Sequence, residues 1–186
     1  MNNKLTIVFL IIVFATLTGC KDEVLLPKPR AMLRLKYPKI SEGKIDTDNF
    51  SFEYNQTAKI KTVNASSLIL EYPDMKGKIF INHKKVDDNI SSLIADAIKL
   101  SYEHATKADG IRPRVFENRE HRVFGAFYEV RGDAASQAQF FVTDSVDHFV
   151  TASLYFEAKP NYDSIFPAAS YLQNDMGRIM ESLRWK

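Results

Sequence analysis

Cysteine occurs once in the 186 residues, at position 20. No internal disulfide can form, and no paired-cysteine zinc site is possible. The histidines, His83, His104, His121 and His148, are scattered and never spaced His-x-x-x-His. No metal or other cofactor is expected from such a pattern. Glycine is scarce, at 7 residues, and forms no phosphate-cradling loop. Charge of one sign is lacking too, with a formal net of +2. A nucleic-acid partner is therefore not expected. Beyond position 20 no apolar run approaches the ~20 residues of a membrane-crossing helix. Repeats and low-complexity tracts are missing. What is plentiful is aromatic: 13 Phe and 8 Tyr, enough for one compact core.

The beginning of the chain carries the strongest local signal. Lys4 is the only basic residue before an uncharged stretch from Leu5 to Ala15. As a helix that stretch is about 17 Å long. A hydrocarbon core is about 30 Å thick, so it cannot span one. A basic start, an apolar run and small residues before a cut site make a secretory signal. Leu17-Thr18-Gly19-Cys20 resembles the lipobox of bacterial lipoproteins. The resemblance implies cleavage after residue 19, a diacylglycerol on the Cys20 sulfur and an acylated amine. One acyl chain holds a protein only reversibly, at roughly 0.8 kcal/mol per buried methylene, whereas two or three hold it durably. A membrane, reached through lipid on Cys20, is thus the first expected partner. Loss of Lys4 with the signal takes the net charge from +2 to +1.

Three segments are expected: a signal at 1–19, a lipidated Cys and extended tether at 20–30, and one α+β domain at 31–186. Pro27-Lys28-Pro29 favours extended backbone in the tether. Lys21-Asp22-Glu23 resembles the short basic-then-acidic surface signal of Bacteroidetes lipoproteins.

Period-two alternation marks strands at 33–37, 50–54 and 68–72, a short one around Ile60, and another at 78–84. The period then changes. Ile90, Leu93, Ile94, Ala97, Ser101, His104 and Ala105 make one helical stripe. Asp88 or Asn89 is placed to cap it, and Gly110 to lie beyond its end. His104 reads as a hydrogen-bonded core histidine. Strands follow at 122–131, 138–143 and 148–157. Phe124, Ala126, Tyr128 and Val130 oppose Val123, Gly125 and Phe127, so that strand is central or covered by a partner. A last helix after Asn161 buries Ile165, Ala169, Leu172, Met176, Ile179 and Leu183, with Pro167 in its first turn. The class is α+β: a mostly antiparallel sheet with two packed helices. This order resembles the Mog1/PsbP-like layered fold.

The densest polar cluster is Thr143-Asp144-Ser145-Val146-Asp147-His148. It holds the parts of a nucleophilic triad, but all within one hairpin turn and without a nucleophile elbow. Turn chemistry explains Asp and Ser there equally well. No catalytic residue is assigned, and the protein is read as a non-enzyme. An envelope hydrolase using Asp144, Ser145 and His148 is the first alternative. A small-ligand carrier, holding its cargo between sheet and helix, is the second. Asp144-Ser145-Val146 and Asp163-Ser164-Ile165 also resemble the Bacteroidetes O-glycosylation site.

Longer segments carry a wider resemblance. They are His104-x-x-Lys107-Ala108-Asp109-Gly110-Ile111, then Gly132-Asp133-Ala134-Ala135-Ser136-x-x-Gln139-Phe140-Phe141-Val142-Thr143-Asp144-Ser145 with His148-Phe149, then Ala152-x-Leu154-Tyr155-Phe156. Pro160-Asn161-x-Asp163-Ser164, the terminal Arg184-Trp185-Lys186, Pro27-Lys28-Pro29-Arg30 and Ser51-Phe52-Glu53-Tyr54 complete the set. Together they resemble the gliding motility lipoprotein GldD family over nearly the whole mature chain. Many members carry a Cys pair in two places where this chain has Asp48 and Ser66. The resemblance implies an envelope protein, in the outer membrane of a Gram-negative bacterium. It implies a binding module that supports gliding and type IX secretion, with other gliding-machinery proteins as partners. Asp144, Ser145 and His148, with Asn161, Asp163 and Ser164, are the candidate interaction surface. They are polar, lie at strand ends and match the family segments.

Overall fold

The computed structural model describes residues 37–103, 108–157 and 161–186. The expected signal, Cys20, the tether, the strand start at Leu33, and His104 with Ala105 lie outside the described residues.

A large antiparallel sheet organises the domain. Its strands are β3 (Lys59–Asn64), β4 (Ser67–Tyr72), β5 (Gly77–Lys85), β6 (Ala108–Asn118), β7 (Val123–Gly132), β8 (Ser136–Thr143) and β9 (His148–Phe156). Across the sheet they stand in the order β3-β4-β5-β9-β8-β7-β6. A smaller antiparallel sheet joins β1 (Glu42–Asp46), β2 (Phe50–Asn55) and β10 (Arg184–Trp185), with β2 in the middle. Two α-helices occur among the described residues, α1 (Ile90–Glu103) and α2 (Tyr162–Ser182). The α+β class expected from the two periodicities is the class that forms.

Alternation along the strands decides what each face meets. On β5, Ile79 and Ile81 point into the main core, with Leu70, Val142, Val150 and Leu154. That core also holds the inward residues of α2 and of the small sheet. The opposite face of the large sheet meets α1. There Leu93 and Ala97 pack on Ala126, Tyr128, Phe141 and Phe149. Strand β7 is therefore covered on both faces, which explains its apolar residues on both sides. Asn89 marks the start of α1 through its carbonyl, which accepts from the Leu93 amide at 3.0 Å, while its side chain accepts from the Asp87 amide at 3.0 Å.

Four sequence expectations change. Residues 108–118 form β6, where no strand was expected. This edge strand pairs only with β7 and leaves most side chains in water, so it carries no apolar alternation to read. Pro113 is tolerated there because an edge strand has a side that needs no N–H donor. Strands β1 and β10 were likewise hidden, one burying only Ile45 and the other two residues long. Tyr37 belongs to no strand. Finally, Pro167 is the sixth residue of α2 and lies past its first turn, because the helix already starts at Tyr162.

Helix α2 buries more than its expected stripe. Ala169, Leu172, Met176, Ile179 and the following Leu183 are buried, and Ile165 is half-buried. Ala168, Asp175 and Met180 are buried as well, because α2 touches β2 as well as β5, β7, β8 and β9. Asp175 anchors a polar network there. Asn55 donates to its Oδ2 at 2.9 Å and to the Tyr171 hydroxyl at 2.8 Å. Tyr171 in turn donates to the Pro38 carbonyl at 3.0 Å. The Tyr72 hydroxyl faces the same carboxyl but falls outside hydrogen-bond geometry.

Burial pushes the Asp175 pKa above its ordinary 3.8, and Asn55, Tyr72 and Arg178 only partly oppose it. Ionisation therefore favours the unfolded chain. Stability from this group is complete below pH ~4 and is lost as pH rises through the folded-state value. Asp175→Asn keeps an acceptor for Asn55 and removes the ionisation. It will unfold at a higher temperature than the parent at pH 7, and the two curves will converge near pH 4. Thermal circular dichroism across that range checks it.

Candidate functional site

Strand β8 ends at Thr143 and β9 starts at His148, so residues 144–147 form the turn. Asp144 closes it. Its Oδ1 accepts from the amides of Val146 at 3.0 Å and of Asp147 and His148 at 2.9 Å. The Thr143 hydroxyl donates to the His148 carbonyl at 2.6 Å and accepts from the Ser145 amide at 2.9 Å. Short side chains of this kind hydrogen-bond nearby backbone, which is why the local sequence turns here. Ser145 takes φ 66°, a left-handed conformation that this bonding supports. Burial raises the Asp144 pKa, but the three amides and His148 outweigh it, and the carboxyl titrates below its usual range.

The His148 ring engages a different set of partners. Its Nδ1 lies 3.0 Å from Nε2 of His83. One nitrogen must donate and the other accept, so the two rings share a single proton at that contact. His83 comes from β5, and register brings it beside the start of β9. The other face of the cluster is Trp185. Its ring stacks on His148 at 5.3 Å and 8°. Phe50 completes the ring set, 5.8 Å from His83 and 6.5 Å from Trp185. Trp185 Nε1 donates to the Arg122 carbonyl at 2.9 Å, and the Arg122 guanidinium reaches the Asp144 carbonyl at 3.4 Å. Beside this cluster is a cleft of about 320 Å³, lined also by Glu120, His121, Asp147, Arg184 and Lys186.

Burial lowers the His83 pKa below 6.5, and His148 lowers it further, with Asp144 opposing. Protonation therefore favours the unfolded chain. The stability this neutral ring contributes is present above pH ~6.5 and is lost as pH falls below it. His83→Gln will flatten that acid limb, as urea titrations at pH 7.5 and 5.5 will show.

The geometry separates the sequence candidates. Asp144 and His148 share one turn, but Asp144 spends its Oδ1 on backbone amides. His148 bonds His83, and Ser145 lies exposed at the tip. A Ser–His–Asp relay is not assembled from these three. Asn161, Asp163 and Ser164 lie elsewhere, at the start of α2. The Asn161 side chain accepts from the Ser164 amide at 3.4 Å, and Asp163 sits in the first turn, where the helix dipole favours an acid. Asp133 Oδ1 accepts from the Tyr162 amide at 2.7 Å, which ties this end to the β7–β8 turn. The 8 residues of β8 separate the two turns. That is on the order of 25 Å of strand. The six candidate residues thus form two patches at opposite ends of the sheet.

His83, Trp185 and Asp175 escaped the sequence reading as site residues. Asp175 left a signal: it falls three after Leu172 and four before Ile179, on a buried stripe. His83 and Trp185 left none beyond the terminal Arg-Trp-Lys segment, because their partners are distant in the chain. Asp48 and Ser66 lie in the β1–β2 and β3–β4 turns.

Asp144→Ala removes the acceptor of three backbone amides at once. Hydrogen bonds to a charged group contribute about 1.5–3 kcal/mol. The variant will lose stability in that range, and Ser145→Ala will lose almost none. Chemical denaturation of both checks this.

A family model described as gliding motility lipoprotein GldD matches residues 22–185. The chain belongs to this family. No curated protein matches it. The match spans both turns and reaches Trp185. Membership makes the chain a membrane-anchored lipoprotein of the cell envelope with a role in gliding motility. The family segment from Gly132 to Phe149 is β8 with its two turns and the start of β9.

Proposed function

We propose that this GldD-family protein is a lipid-tethered binding module. It supports assembly or stability of the gliding and type IX secretion machinery, held to the outer membrane by lipid on Cys20. The supporting observation is the β8–β9 turn. The Thr143 and Asp144 side chains are committed to the backbone, while Ser145 and Val146 are exposed at the tip. Val146 is 53% exposed. A rigid, protruding tip binds with little ordering cost. Tethering raises the effective concentration of the domain beside envelope partners, so a modest interface suffices. The Asn161–Ser164 end is a second contact in this scheme, on the far side of the sheet.

Affinity capture from native membranes tests the reading. Gld or type IX components are expected with the parent, and are expected to be lost with Val146→Glu, whose fold is unchanged. A deletion strain that still glides, with no machinery component captured, would sink it.

A further inference from the structure

We propose that the open part of the large sheet binds a neutral saccharide, independently of the protein-docking reading above. Helix α1 covers β8 and part of β9, and beyond its edge no other described element covers the sheet. A trough of about 510 Å³ runs there, lined by Phe80, Asn82, Leu100, Thr151, Ser153 and Tyr155. Small-molecule sites commonly enclose ~300–1,000 Å³.

The lining defines the ligand. Phe80 and Tyr155 form its floor, ring edge to ring face, with centroids 5.6 Å apart at 83°. Both are half-buried although they sit mid-strand, so each keeps apolar ring surface toward solvent. Ser153 pairs with Phe80 across the strands, and Thr151 with Asn82, which places hydroxyls and an amide on the same face. On the next strand Gln139, the cross-strand partner of Ser153, lies beneath α1 and outside the lining of the trough. Gln139 is 3% exposed, and its Oε1 accepts from Ser101 at 3.1 Å. Its Nε2 is buried without a partner.

Charge narrows the class. Lys78, the only cation in the lining, is already paired with Glu71 and Glu157. Among the described residues, an anionic ligand would find no free cation in the lining and two carboxylates close by. An acyl chain would leave the hydroxyl and amide groups facing hydrocarbon, which is unfavourable. A neutral sugar matches both parts: its C–H face lies on an aromatic ring, and its hydroxyls exchange hydrogen bonds with the serine, threonine and amide groups.

The test uses the mature lipidated chain in detergent, titrated by calorimetry with maltotriose, cellotriose and diacetylchitobiose, and with a trigalacturonate as the anionic probe. At least one neutral probe is expected to bind, and the trigalacturonate is not. Phe80→Leu and Tyr155→Leu keep apolar volume and lose the ring; each is expected to weaken binding at least tenfold. Val115→Thr, exposed on the distant edge strand β6, serves as control and is expected to change nothing. If a polymer of the bound sugar competes as well as the oligomer, the ligand is an envelope glycan. If only the oligomer binds, it is a free saccharide. No binding by any neutral probe, tighter binding of trigalacturonate, or full binding by folded Phe80→Leu and Tyr155→Leu overturns the proposal. Capture of machinery proteins through the β8–β9 tip is read separately, so either reading can fail alone.

Discussion

Gly125→Ala will destabilise the domain by about 3 kcal/mol or more, the upper end of overpacking effects. Gly125 lies in β7 opposite Val142 of β8. A Cβ built there runs into the Phe141 carbonyl oxygen, and it stands 2.8 Å from the Phe141 carbonyl carbon and 2.9 Å from the Val142 Cα. These are backbone atoms of a paired strand, so no side chain can swing aside. Only separation of β7 from β8 makes room, and both strands are packed under α1 on one face and the main core on the other. Two cores are therefore disturbed by one methyl group. Equilibrium denaturation of Gly125→Ala beside Gly110→Ala checks it. A Cβ at Gly110 meets nothing within 4 Å, so that variant will stay near the parent. Equal stabilities for the two would contradict the close-approach argument.

Trp185→Ala will remove roughly 2–3 kcal/mol, somewhat below the ~3–5 of a fully buried aromatic, because Trp185 is half-buried. Three contacts disappear together: the stack on His148, the edge contact with Phe50 and the hydrogen bond to the Arg122 carbonyl. The pairing of β10 with β2 weakens as well, since it consists of only Arg184 and Trp185. Trp185→Phe keeps a ring and loses the indole N–H. A net hydrogen bond is worth about 1 kcal/mol, so it will recover about half of the loss. The second readout is local. Proton NMR of the His148 ring will lose the ring-current shift in Trp185→Ala and keep part of it in Trp185→Phe. An unchanged His148 spectrum in Trp185→Ala would remove the stack from the account. If the turn also docks a partner, capture of envelope proteins will fall in step with this loosening of His148.

These effects show how unevenly the molecule could be read beforehand. Strands β2, β4, β5 and β9 and both helices were legible, because an element with one face toward the core writes its own period, whereas β7 and β8, packed on both faces, were legible as segments between turn residues. Strands β1 and β6 were not, because they bury so little that no period is imposed. The Asp144–His148 turn was legible as turn chemistry, since its hydrogen bonds join residues at most five apart. Its neighbours His83 and Trp185 were not.

From its sequence alone, the chain's class as an α+β domain and its resemblance to a lipoprotein family could be argued, since these depend on local periodicity and contiguous motifs. Tertiary structure alone decided that His148 meets His83 and Trp185, that Asp175 is enclosed, and that the two polar patches lie at opposite ends of β8. The reason is physical: spacing along a chain determines which way a side chain points. What it meets there depends on strand order and register, which are set by contacts between residues far apart in the chain.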